Sequence, residues 1–60
     1  MDGYVIQDTK SGKYVARPGS ESSFTKSIIE ARKFPTREIA DKEKCDCSEV
    51  VRNVRDILGN

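Results

Sequence analysis

Sixty residues, 35% of them charged, 35% hydrophobic and 7% aromatic, make one small domain spanning 1–60. A chain this short buries only about 60% of its unfolded surface and holds about 3–9 kcal/mol of net stability, which excludes a two-domain enzyme and argues against a deep, desolvated catalytic cavity. Eleven Lys and Arg against ten Asp and Glu leave a net charge of +1, evenly interleaved along the chain and without a histidine, which speaks against a dedicated nucleic-acid binder.

Valine and isoleucine supply five residues each, leucine and methionine one each, and this β-branched bias favours sheet over helix. Gly3-Tyr4-Val5-Ile6-Gln7-Asp8 reads as a first strand and Lys13-Tyr14-Val15-Ala16-Arg17 as its return. Between them Thr9-Lys10-Ser11-Gly12 makes a turn whose glycine can take a positive φ, so residues 3–17 form a β-hairpin. Period-two alternation predicts a core face of Tyr4, Ile6, Tyr14 and Ala16, with Val5 and Val15 on a half-covered or wet side. Arg17–Ser23 is a loop by its proline, glycine and serines. Phe24 is expected to re-enter the core, and Ser27–Ala31 to form one helical turn. Ala31–Phe34 reads as a third short strand, because Pro35 drives Phe34 to extended geometry.

Thr36 then caps a helix over about 36–44, with Ile39 and Ala40 as its narrow apolar stripe. Cys45 and Cys47 stand too close for a disulfide between them to restrain the unfolded chain much, and they read as reduced thiols of a cytoplasmic protein. A dimer pooling four such thiolates around zinc is the alternative. Over 48–58, Val50, Val51, Val54, Ile57 and Leu58 fall at amphipathic helical spacing, with Ser48 as an N-cap. The density of β-branched residues in 50–54 leaves a strand open there. The fold expected is α+β: a small antiparallel sheet packed against one helix.

The order Tyr-Val-Ile-x-Asp-x-x-x-Gly-Lys-Tyr-Val over 4–15 is followed by Phe24-Thr25-Lys26 and Glu30-Ala31-Arg32-Lys33-Phe34. Thr36-Arg37-Glu38-x-Ala40 and Glu49-Val50-Val51-x-x-Val54-x-x-Ile57-Leu58 complete the pattern. Together these resemble very small, mostly uncharacterised proteins of phages and prophages of Gram-positive bacteria, over nearly the whole chain. Ile39 departs from that pattern, where a charged residue is more usual. The resemblance carries no catalytic or binding residue. It implies that a segment near 49–53 pairs as a strand with Val54–Leu58 at most a closing turn, the second helix over 48–58 becoming the alternative.

No enzyme constellation stands out. Without histidine the usual near-neutral base is missing. Glu38 and Asp41, the nearest carboxylate pair, read as solvated helix-surface charges, and Gly12-Lys13 lacks the rest of a phosphate-binding loop. No cofactor and no metal site is implied, and the longest apolar run, three residues, is far too short for a membrane span or a signal-peptide core. The candidate binding surface is Lys10, Lys13, Tyr14 and Arg17 on the hairpin, extended by Arg32, Lys33 and Arg37 if the third strand lies beside it. This surface suits a host protein in the bacterial cytoplasm. Alternatively, it serves weak nucleic-acid binding through a basic hairpin face, which would fall steeply with salt. A free sheet edge could also recruit a second copy.

Overall fold

A computed structural model describes residues 3–44 and 48–59. Four strands, β1 (Tyr4–Asp8), β2 (Tyr14–Val15), β3 (Phe24–Thr25) and β4 (Glu49–Asn53), form one antiparallel sheet in the order β3-β2-β1-β4. Helix α1 (Arg37–Glu43) and the short helix α2 (Val54–Leu58) complete the α+β architecture. The hairpin and the helix after Thr36 stand where the residue pattern placed them, and the strand at 49–53 where the resemblance implied it.

The sheet is covered on both faces, and its register explains how. Gln7 opposes Tyr14 across the hairpin, while Ile6 opposes Val51 and Val5 opposes Arg52 across the β1–β4 ladder. Opposed residues share a face. Ile6 therefore packs with Phe34 and Ala40, joined by Tyr4, Val15 and Val51. On the other face Val5 packs with Ala31 and Val54, joined by Tyr14, Ile28 and Ile57. This corrects the predicted core face: Tyr14 and Ala16 belong with Val5, Val15 with Tyr4 and Ile6, and Val5 is fully buried rather than wet. A two-layer reading assumes one wet face; here each face has its own cover.

Residues 31–34 form no strand of their own. Ala31 bridges Ala16 and Phe34 bridges Tyr4, so the segment is shared between the two arms of the hairpin. The Arg32 N–H donates to Val15 O at 2.9 Å, while Tyr4 and Phe34 exchange both backbone hydrogen bonds at 2.9 and 2.8 Å. The arms splay at their open end and this segment fills the fork, so neither side offers it a continuous ladder. The third strand is instead β3, and Phe24 on it is 38% exposed rather than core. Phe24 opposes Val15 and shares its face, but α1 packs on β1 and β4 and leaves that outer edge uncovered.

Local chemistry sets the helix ends. Thr36 takes an extended conformation and its Oγ1 accepts from the Ile39 N–H at 3.2 Å, one of the donors a helix start leaves unpaired. Ala40 is the buried residue of α1, and Ile39 is exposed. At the other cover, Asn53 closes β4 and caps α2 at once, its Oδ1 accepting from the Arg55 N–H at 2.8 Å. The strand reading of 49–53 therefore holds, and the single helix over 48–58 capped by Ser48 does not: the helix is confined to Val54–Leu58, because the β-branched residues before it pair with β1 and Asn53 supplies the cap. Ser27–Ala31 contains a turn at 28–30 rather than a helix.

Two glycines are required by geometry. Gly12 sits at φ 77 in the hairpin turn and donates its N–H to Asp8 O at 2.8 Å. Gly3 sits at φ 120, where an added Cβ would come within 3.2 Å of Phe34 O.

Candidate functional site

The seven residues singled out from the sequence do not form one patch. Lys10 is exposed in the hairpin turn, its N–H donating to Asp8 Oδ1 at 2.9 Å, and Lys13 is half-buried beside it. Arg17, Arg32, Lys33 and Arg37 lie toward the opposite end of the sheet, where the fork opens. A five-residue strand separates the two ends by roughly 16 Å. Tyr14, the one aromatic of the set, packs against Val5, Ala31 and Val54 instead of presenting a stacking face.

Of the four residues at the open end, two are occupied by the fold. Arg17 Nη2 pairs with Glu30 Oε2 at 2.7 Å. The Lys33 ammonium donates to Ile28 O, to Ala31 O at 2.7 Å and to Ile29 O at 3.3 Å, gathering the carbonyls of the 28–31 turn. Burial of that ammonium, reinforced by the charge of Arg17 and opposed by Glu30, holds Lys33 below the ordinary lysine value. Extended backbone sends neighbouring side chains to opposite sides: Arg32 reaches over the Phe34 ring, and Lys33 reaches the 28–31 carbonyls.

The other two stack. Arg32 lies over the Phe34 ring with its Cζ 4.8 Å from the centroid, and Arg37 lies over the Tyr4 ring at 5.3 Å. Both rings belong to the same packed cluster and sit on a directly opposed pair of residues. The sequence placed Tyr4 and Phe34 in the core, and Phe34 is 2% exposed. The stacks themselves went unread, although Arg32-x-Phe34 in an extended segment puts both side chains on one side.

A second feature lies along β4, which pairs only with β1 and is therefore an edge strand. The Thr9 N–H donates to Ser48 O and the Val54 N–H to Gly3 O, both at 3.0 Å, which fixes the alternation of the ladder. Residues 48, 50, 52 and 54 turn their backbone groups toward β1, so Val51 and Asn53 turn theirs outward. Beside this edge runs a groove of about 530 Å³ lined by Arg37, Glu38, Asp41, Lys44, Val50 and Val51. The Asp41 carboxylate there pairs with Lys44 at 3.0 Å. Sequence reasoning foresaw a free sheet edge without saying which.

Among the described residues no group of three or more His, Cys, Asp or Glu is placed to hold a metal ion, and no helix is long and apolar enough to cross a membrane. Cys45 and Cys47, with the thiolate-pooling idea built on them, lie outside the described residues. Compared with family models, curated proteins and solved structures, the chain matches none.

Proposed function

We propose that the chain is a non-enzymatic protein-interaction module of the small phage type, which binds and modulates a host protein in the bacterial cytoplasm. The observation that carries this reading is the contrast between the two sheet edges. β3 has two residues, whereas β4 has five, with outward-turned backbone at Val51 and Asn53 and a half-exposed Val50 beside a groove. Natural sheets blunt such edges with charged side chains, proline or short length; β4 has neither lysine nor proline, and the guanidinium of its Arg52 is turned across the ladder to Gln7 Oε1 at 2.8 Å. An extended segment of a partner can add to that edge through main-chain hydrogen bonds. The resemblance to small phage proteins supplies the host setting.

The test uses a chemically synthesised chain N-methylated at Val51, which removes one outward donor and leaves the ladder to β1 intact. Both forms are used as bait in a Gram-positive lysate, and both are sedimented alone. A stoichiometric partner captured by the native chain and lost on methylation supports the proposal. A dimer dissociated by methylation replaces the host partner with a second copy. Capture unaffected by methylation removes β4 as the docking strand, and neither partner nor dimer removes the module itself.

A further inference from the structure

We propose that Arg32 and Arg37 form a two-guanidinium receptor for carboxylates on an acidic segment of a protein partner. This rests on the reading of the chain as an interaction module and names the chemistry that module recognises. Tyr4 and Phe34 exchange both backbone hydrogen bonds, so their side chains leave the sheet on the same side from Cα atoms about 5.5 Å apart. Each ring carries one guanidinium, 4.8 Å away for Arg32 over Phe34 and 5.3 Å for Arg37 over Tyr4. The two cations are thereby brought to one side of one small region by a rigid aromatic pair.

Their donors are available. Among the described residues neither guanidinium has a carboxylate within 4.0 Å, in contrast to Arg17 with its Glu30. A guanidinium over a ring face engages the ring through its charge and uses no N–H for a carboxylate, so its planar fork of donors stays available to a carboxylate in bidentate fashion. Stacking also fixes the long side chain before binding, so less rotamer freedom is lost when the ligand arrives. An arginine already paired with a carboxylate would have to give up that partner first.

Charge decides in favour of a protein segment over a nucleic acid. Lys33 is turned to the 28–31 carbonyls, Arg17 is paired, and Lys10 and Lys13 stand at the far end of the sheet. Arg37 shares its groove with Glu38 and Asp41. A continuous phosphate backbone, with a charge on each nucleotide, would run onto those carboxylates, whereas a protein segment can set its few acidic groups at the two arginines alone.

The experiment follows the arginine Nε–Hε signals by NMR at low salt while adding an acetylated hexaglutamate peptide, oligothymidylate or inorganic phosphate. The expected result is that hexaglutamate moves the signals of Arg32 and Arg37 ahead of those of Arg17, Arg52 and Arg55. Arg32→Gln/Arg37→Gln should weaken peptide binding by at least about tenfold, since two charge-assisted contacts are lost. Should the double variant lose its fold, Arg37→Gln, on the exposed face of α1, carries the same test at smaller amplitude. The receptor is overturned if the peptide shifts no arginine selectively, if thymidylate or phosphate binds these two more strongly, or if the variants bind unchanged. A lysate partner held equally by native and variant chains also overturns it while leaving the interaction module standing. A lysate that yields no partner removes the module, and the peptide titration still decides the receptor.

Discussion

The two faces of the sheet are closed in different ways. On the α1 side a single large ring, Phe34, fills the space between Ile6 and Ala40, and the cover is a capped helix that needs to bury only an alanine. On the other side no long element is available. Val5 is covered by Ala31, Val54, Ile28 and Ile57, drawn from a turn and a five-residue helix, and the turn is gathered by a lysine ammonium. One face is held by volume and the other by a polar clasp on irregular backbone. The lesson concerns size: this short chain supplies one seven-residue helix, and the second face is closed by a five-residue helix and the turn that lies nearby.

That contrast predicts where damage travels. Phe34→Ala removes the ring that fills the first face and uncovers Arg32, at a cost of about 3–5 kcal/mol. For a domain holding about 3–9 kcal/mol this leaves much of the population unfolded. Val54→Ala, on the second face, removes two methyl groups and should cost about 2 kcal/mol. Urea titrations followed by circular dichroism measure both. Equal losses, or a greater loss for Val54→Ala, would break the distinction between the faces.

Gly3 sharpens the comparison because it adjoins both. Its carbonyl accepts from Val54 on one side, and its missing Cβ makes room for Phe34 O on the other. Gly3→Ala should cost about 1–3 kcal/mol, through the strained φ and the 3.2 Å approach together. Gly12→Ala has the positive φ but nothing within 4 Å of the new Cβ, so its cost should be about 1–2 kcal/mol. Thermal unfolding of the pair separates backbone strain from crowding, and identical midpoints would show that the approach to Phe34 is harmless.

The clasp is the next step down. Lys33→Met keeps the stem and removes the donor to three carbonyls, of which water can replace the more exposed. The expected loss is about 1–2 kcal/mol, with amide exchange quickened in 28–32 and unchanged in β1 and β4. Exchange that quickens everywhere would mean the clasp holds the whole domain rather than one face.

How much of this could be read in advance follows from how local each signal is. The hairpin, the Thr36 cap and the extended residue before Pro35 depend on a few neighbouring side chains, and all three were legible. The strand at 49–53 gained weight only from the resemblance, because its decisive interaction is the edge of β1, 45 positions away in the register pair Ile6 with Val51. The core face was misread for Tyr14 and Val15 because alternation fixes which residues share a side within one strand, while the offset between strands depends on the turn. The candidate surface suffered most. A list of cations says nothing about which are consumed by the fold, and Lys33 and Arg17 are: Lys33 through nearby carbonyls that only the turn at 28–30 brings to its ammonium, and Arg17 through a carboxylate 13 residues on. The two that remain at the open end, Arg32 and Arg37, are distinguished by aromatic neighbours, one of them visible as Arg32-x-Phe34.

The smallest effect is the pH response of the clasp. Burial, then Arg17, lowers the Lys33 pKa in the folded chain below the ordinary lysine value of 10.5, against the pull of Glu30. Between the lowered folded value and the unfolded one, the unfolded chain binds more protons, so the Lys33 contribution to stability rises with pH in that window and is flat below it. The ammonium costs the fold its burial and its proximity to Arg17, and loss of the proton relieves both while leaving two N–H donors for the carbonyls. The difference in unfolding free energy between the native chain and Lys33→Met, followed from neutral to alkaline pH, isolates this group from the other lysines and the tyrosines. It should shift modestly in favour of the native chain as pH rises. A shift the other way would mean that the three carbonyls bind the charged form strongly enough to outweigh burial, which would make the second face depend on charge rather than on the donor alone.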